Sequence, residues 1–272
     1  MRGARPERAL DALVRGAARF ARGARACVAC SGGPDSVALA ALLDRLARED
    51  EYDLVLAHVN HGVRRSAEQD EAVVLSVGAR LGRRVLVARP QLASDDEAAL
   101  REARYAALAQ LAQGASATAV ATAHTAEDQT ETVLLALFRG TGLTGLAGIA
   151  PRRPLCEGVE LVRPLLRVAH AELATELRRS GLPYALDPSN AQTRYRRNAL
   201  RAPLEQLRAE FPHLDRAVAR CAEIVRGELE GTARARARRE LRAALRAQDL
   251  LRGVPFERIE AALDAAERGT PR

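Results

Sequence analysis

Four short apolar runs, each followed by a longer stretch of helical periodicity, constrain the fold of this chain more than any other feature. ACVAC (26–30) precedes DSVALAALLDRLARED (35–50), and DLVLAHVN (53–60) precedes SAEQDEAVVLSVGARLG (66–82). RRVLVARP (83–90) precedes SDDEAALREARYAALAQLA (94–112), and ATAVATAH (117–124) precedes TAEDQTETVLLALFRG (125–140). Parallel strands need a crossover of a dozen residues or more, usually a helix. The alternation therefore predicts α/β architecture: a Rossmann-like open, mostly parallel sheet with helices on both faces. A Gly-rich, Pro-bounded stretch, FRGTGLTGLAGIAPRRP (138–154), leads to a last strand in VELVRPLL and a helix ended at Gly181. Beyond it the pattern is helical and rich in Arg, which predicts a small α-helical domain.

In such sheets ligands bind beyond the carboxyl ends of the strands, near the switch in strand order. The segments at those ends are Ser31–Ser36, His58–Arg64, Pro90–Gln91 and His124–Asp128. Ser94, with Asp95, Asp96 and Glu97 behind it, signs the start of the third crossover helix.

With 47% hydrophobic but only 3% aromatic residues and no Trp, the core must be built from Ala, Leu and Val. No run approaches the ~18 apolar residues of a membrane span, and the start, MRGARPERALDALVRGAARF, has helical spacing rather than a signal peptide's apolar centre. Glu7 and Asp11 argue against a transit peptide, so a first surface helix and a cytoplasmic location are expected. The net charge is +7, and all 42 basic residues are Arg. Residues 1–150 balance 18 Arg with 18 acids, whereas residues 151–272 carry 24 Arg against 17. That excess suits a polyanion-binding surface and equally a solvated helical face; ARARARRELRAALRAQ (233–248) is read as a solvated helix. Of four cysteines, Cys27 and Cys30 form a C-x-x-C inside the first strand, where alternation turns them to opposite faces and makes them buried, inert thiols.

The first strand ends in SGGPDS. Ser31, Gly32, Gly33, Pro34, Asp35 and Ser36 supply converging backbone N–H groups, glycines that allow close approach, and an acid able to reach a divalent ion between phosphate oxygens. The loop is neither a Walker A sequence nor the G-x-G-x-x-G fingerprint.

SGGPDS resembles the pyrophosphate-loop signature of the ATP pyrophosphatases. HVNHGVRRSAEQD, EAALREARYAAL, HTAEDQTETVLLALFRGTGLTGLAGI, RPLL and DPSNAQTRYRRNALR follow in the order and spacing of tRNA(Ile)-lysidine synthetases. The resemblance covers about Ala26–Leu207, so residues 1–207 are expected to form the ATP-binding catalytic domain and 208–272 a helical, tRNA-contacting one. It implies an ATP-dependent ligase that adenylates C2 of the wobble cytidine in the CAU-anticodon isoleucine tRNA and joins free L-lysine to it, releasing AMP and pyrophosphate. The implied cofactors are ATP and Mg2+, with Asp35 as metal ligand and Ser31–Ser36 as the phosphate loop.

The same resemblance implies catalytic contacts from Asp35, His124, Arg101 and Arg104, a lysine site at Glu127, Asp128 and Glu131, and tRNA contacts from Arg194, Arg196, Arg197, Asn198 and Arg201. Glu127 stands where the family's H-x-x-D-D-Q pattern has Asp, one methylene shorter. Read without the family, Arg101 and Arg104 are a solvated pair, His124 a packed polar residue, and His58 and His61 strand-end residues. No membrane partner is expected, and a homodimer is admitted. Two rivals remain: a pyrophosphate-loop tRNA thiolase using Cys27 or Cys30, and a non-catalytic nucleotide-binding module, which would need the loop but neither the acids near Asp128 nor the Arg cluster.

Overall fold

The computed structural model describes residues 4–60, 62, 67–90, 97–186, 196–247, 254 and 256–269. It divides into two compact units, one of residues 1–132 and 149–216, the other of 133–148 and 217–272.

The first unit holds a six-stranded sheet in the order β3-β2-β1-β4-β6-β5. Its strands are β1 (Arg25–Ala29), β2 (Asp53–Val59), β3 (Val85–Ala88), β4 (Ala119–Ala121), β5 (Arg152–Cys156) and β6 (Val159–Val162). All neighbours run parallel except β5 and β6. The four expected strands are β1 to β4, and VELV is β6. The Pro-bounded stretch read as a connection contributes an antiparallel edge strand, β5, joined to β6 through Glu157 and Gly158. An edge strand tolerates Pro154, whose missing N–H costs no ladder bond on the open side.

Helices lie on both faces. α1 (Ala4–Ala18) precedes the strands; α2 (Pro34–Asp50), α3 (Ala67–Leu81), α4 (Glu97–Gly114) and the first turns of α5 (Ala126–Phe138) run between them; α7 (His170–Ser180) and α8 (Arg196–Glu210) follow. Val28, Leu54 and Leu56 face one core, built with α2, Val74 and Val77 of α3, and Leu173 and Leu177 of α7. Cys27, Val55, Val120 and Leu161 face the other, closed by Leu108 and Ala112 of α4. Cys27 and Cys30 thus fall in opposite layers, as the alternation requires. Burial pushes the Cys27 thiol up to about 11 and the Cys30 thiol upward too. Neither is a thiolate at neutral pH.

The amphipathic start forms α1, with Val14 and Ala18 in the first core. Asp11 of α1 and Glu176 of α7 both pair with Arg45 of α2. A recess of about 350 Å³ nearby is lined by Asp44, Arg45, Arg48, Glu176 and Arg179. These charges are matched with carboxylates or cations of the same group, and the recess lies away from the amino end of α2, so it is a structural ion-pair network.

The second unit contains the end of α5, the short α6 (Leu143–Leu146) and most of α9 (Leu214–Glu230), with α10 (Ala233–Ala247) and α11 (Phe256–Gly269). The Arg-rich segment expected to be a solvated helix is α10, and part of it is internal. Arg238 is only 7% exposed and donates to Glu260 at 2.7 Å and Glu228 at 3.1 Å. Arg234 reaches Glu260 and Asp264. The long Arg stems cover apolar surface while their heads meet carboxylates of neighbouring helices. Part of the basic excess of residues 151–272 is therefore neutralised internally.

Candidate functional site

Strand order reverses between β1 and β4, so the loop after β1 and the residues after β4 share the crevice where ligands of such sheets bind. The loop after β1 is SGGPDS. Gly33 is the N-cap of α2 in extended conformation, with Pro34 opening the helix and Asp35 in its first turn. Pro at that position wastes no N–H, and an acid there suits the helix dipole. Ser36 braces the turn. Its hydroxyl donates to the Gly33 carbonyl at 2.9 Å and receives the Ser31 N–H at 3.2 Å.

Gly32 has φ +91, and a Cβ on it would stand 3.0 Å from the Asp70 carbonyl oxygen of α3. Its own carbonyl accepts the Ala185 N–H at 2.8 Å. The Ser31 amide is spent on Ser36 and the Gly33 amide makes a long 3.4 Å contact with the Ser31 hydroxyl. Among the described residues, the amides of Asp35 and Ser36 have no protein acceptor, while that of Gly32 is turned to the Cys30 sulfur. Two such donors at a helix amino terminus form an anion cradle.

Across the crevice, Thr125 and Asp128 cap α5 reciprocally. The Thr125 N–H donates to Asp128 Oδ2 at 2.9 Å, and the Asp128 N–H reaches Thr125 Oγ1 at 3.4 Å. Glu127, 8% exposed, accepts the His170 N–H through Oε1 at 2.9 Å and so caps α7, while its buried Oε2 has no hydrogen-bond partner. Glu127 thereby links α5 to α7. Glu131, one turn further along α5, is 5% exposed. His124 lies between β4 and α5, with Nδ1 3.0 Å from the Thr122 hydroxyl.

His170 joins the two sides and was not singled out by sequence reasoning. Its Nε2 is 3.3 Å from Asp35 Oδ2 and 3.2 Å from Thr125 Oγ1. The other Asp35 oxygen has no protein partner among the described residues. Burial pushes the His170 imidazole down, but Asp35, Glu127 and Asp128 together outweigh it and lift the ring to about 9. His170 is therefore a cation at neutral pH.

Because this value lies above the ordinary 6.5, protonated His170 stabilises the fold. The contribution is complete below about pH 6.5 and is lost as pH rises through 9. With the side chain half-exposed, screening leaves about 1 kcal/mol. Urea unfolding is expected to show His170→Gln less stable than wild type by that amount at pH 6, with the gap closing by pH 10. A pH-independent gap would refute the pair.

Arg101 and Arg104 occupy exposed positions on α4. Arg101 lies over the Tyr105 ring, 5.2 Å from its centroid, on the α4 face of the sheet rather than beside Asp35. Of the basic cluster, Arg194 lies outside the described residues, and for Arg196, Arg197, Asn198 and Arg201 the description stops at the backbone of α8, which opens at Arg196. Ser94 and His61 also lie outside the described residues. His58 is buried at the end of β2, with Nδ1 2.9 Å from the Cys30 carbonyl that precedes the loop. Among the described residues no group of three His, Cys, Asp or Glu is arranged for a metal, and Asp35, with one oxygen free of protein partners there, would be the residue to hold one. That fits Mg2+, which keeps waters and takes one or two carboxylates plus phosphate oxygens.

An open, mostly parallel sheet with a glycine loop, two open amides and a His170-paired carboxylate at its switch point defines a doubly wound α/β protein. Residues 6–207 match the PP-loop domain family, and the chain belongs to it. Among curated proteins, it is similar to tRNA(Ile)-lysidine synthases. That of Ralstonia nicotianae is 37% identical over 201 residues, 72% of this chain and 43% of the relative. The Pseudomonas aeruginosa protein is 38% identical over 204 residues, 74% and 46% of the two chains. That of Novosphingobium aromaticivorans is 41% identical over 192 residues, 69% and 58%. The chain spans about half the length of the curated relatives it matches. Among solved structures, the U34-tRNA thiolase NcsA from Methanococcus maripaludis, described with its 4Fe–4S cluster, superposes with a TM-score of 0.67 at 16% identity, over 79% of this chain and 77% of that one. A likeness at that identity is one of fold. No helix among the described residues is long and apolar enough to cross a membrane.

Proposed function

We propose that this chain is an ATP-dependent tRNA(Ile)-lysidine synthetase acting in the cytoplasm on the CAU-anticodon isoleucine tRNA. The observation that carries the reading is the pair of unengaged amides, of Asp35 and Ser36, beside the Asp35 carboxylate at the switch point of a PP-loop domain. Asp35 and Ser36 donate to the phosphates of ATP through their main chain, Gly32 lets the phosphates approach closely, and Asp35 would hold Mg2+, which when bound neutralises charge on them. The C2 carbonyl oxygen of the wobble cytidine attacks the α-phosphorus and pyrophosphate leaves. The lysine amine then adds at C2, loses a proton, and AMP leaves with the oxygen.

Glu127 and Glu131 supply buried anionic charge for the lysine ammonium, with the unpartnered Glu127 Oε2 as the nearest candidate acceptor. Asp128 is already committed to the α5 cap through Oδ2, so its part is to shape the pocket. His124 and Arg104 are assigned to the nucleotide. Arg196 and Arg197 open α8 without an acid in its first turn, an arrangement the helix dipole disfavours unless an anion is shared. With Arg194, Asn198 and Arg201 they are assigned to tRNA. Residues 208–272 are assigned as a helical tRNA-contacting domain. The thiolase alternative is disfavoured, because Cys27 and Cys30 are buried in opposite layers and held as thiols.

Incubation with labelled lysine, ATP and a tRNA(Ile) CAU transcript is expected to place label in the RNA, with one AMP and one pyrophosphate per lysine. The Cys27→Ser/Cys30→Ser protein should retain this activity. No incorporation by the wild-type protein would overturn the reading.

A further inference from the structure

Most arginines at the heart of the first unit have carboxylates. Arg45 has Asp11 and Glu176, Arg83 has Asp44, and Arg208 has Asp215. One group does not. Arg163, directly after β6, is 3% exposed; it donates from Nη1 to the Ala150 carbonyl at 2.6 Å, and its buried Nε has no hydrogen-bond partner. Arg153 of β5 lies over the Tyr105 ring, 4.9 Å from the centroid, and Arg101 of α4 at 5.2 Å. Among the described residues no carboxylate pairs with any of the three. Removing the Arg163 guanidinium from water without an anion costs several kcal/mol, and two more guanidiniums stacked on the same tyrosine make the place one that an anion would fill.

The electrostatics of Tyr105 agree. Burial alone pushes its phenol up, yet the Arg163 hydrogen bond and the fields of Arg101, Arg163 and Arg153 bring it below its ordinary value. Burial pushes Arg163 down, with Arg153 and Arg101 adding to the effect. A phenol whose ordinary pKa is near 10 is a poor counter-ion at pH 7.

We propose that Arg101, Arg153 and Arg163, gathered around Tyr105, form a second oxoanion site that binds a backbone phosphate of the RNA substrate. The proposal rests on the reading that the chain acts on RNA. The site lies on the α4 face, while the loop opens α2 on the opposite face, but both are at the carboxyl rim: Val162 pairs with Ala121 at the end of β4, and the Thr122 N–H donates to the Val162 carbonyl at 2.9 Å. Arg101 is exposed and Arg153 half-buried on an edge strand. An open site of this kind suits a chain passing over the surface, whereas free amino acids are held in enclosed pockets. Guanidinium forks match phosphate oxygens in pairs.

The test compares wild type with Arg153→Gln and Arg153→Lys, measuring RNA affinity against NaCl concentration, Mg-ATP affinity by calorimetry, lysine affinity, and thermal unfolding. Arg153→Gln is expected to weaken RNA binding about tenfold at 0.1 M salt and to lower the salt slope by about 1. Arg153→Lys should restore the slope with part of the affinity, and Mg-ATP affinity should stay the same in all three. An unchanged slope in the Gln protein would overturn the site, as would a loss confined to lysine affinity, which would make it a carboxylate site, or a wild-type protein that binds no RNA. Should Gln disturb the edge strand, full wild-type affinity in Arg153→Lys also counts against it, since a point charge cannot replace the fork. If the slope falls but wild type incorporates no lysine, the phosphate site stands and the lysidine reading fails.

Discussion

Replacing Asp35 with Ala is expected to cut pyrophosphate release by about 10²–10³-fold while RNA affinity stays within about twofold of wild type. The carboxylate stands in the first turn of α2 beside two unengaged amides, with one oxygen toward His170 and the other free of protein partners. Backbone amides can hold phosphate without it, so nucleotide is expected still to bind, more weakly. What is lost is the protein's anchor for a divalent ion during departure of pyrophosphate. The variant also strands His170 without its main partner, so the ring should titrate closer to its ordinary value. Quench-flow measurement of pyrophosphate, with filter binding of the transcript, separates the effects. Wild-type turnover in Asp35→Ala would end the metal assignment, and a parallel loss of RNA binding would mean that the loop had collapsed.

Much of this arrangement is legible in the linear chain because its determinants are local. Each strand–helix unit has its own periodicity, and SGGPDS joins a strand to a helix within six residues. His170 is not legible in that way. Its neighbours in sequence, Ala169 and Ala171, carry no polar side chain, and its role comes from Asp35 and Thr125, which only folding brings near. The pairing of Glu127 with the amino end of α7 is hidden for the same reason. Arg101 and Arg104 share a helix face, and the spacing suggests a joint role. Arg101 instead meets Tyr105 one turn on, together with Arg153 from an edge strand whose Pro and flanking Gly resemble a linker. The charge excess misleads on α10 because a count by halves cannot tell an Arg facing water from Arg238, which faces Glu228 and Glu260.

The two glycines of the loop are expected to respond in opposite ways to the same substitution. Gly32→Ala must keep a φ of +91 with a Cβ 3.0 Å from the Asp70 carbonyl oxygen, a backbone atom of α3 that cannot rotate aside. The strain is about 1–3 kcal/mol, a fall in Tm of roughly 2–10 °C for a chain of this size. Relief by moving the loop would break the 2.8 Å bond from the Ala185 N–H to the Gly32 carbonyl and swing the free amides off the phosphates. Pyrophosphate release should therefore fall by about tenfold or more. Gly33→Ala has φ −73 and meets nothing nearer than the Ser31 hydroxyl at 3.6 Å, an ordinary contact, so its stability should lie within about 0.5 kcal/mol of wild type. Calorimetric melting of both variants, scored against pyrophosphate release, decides the matter. Equal melting temperatures for Gly32→Ala and wild type would show that the bend is not held as described, and the cradle built on it would have to be abandoned.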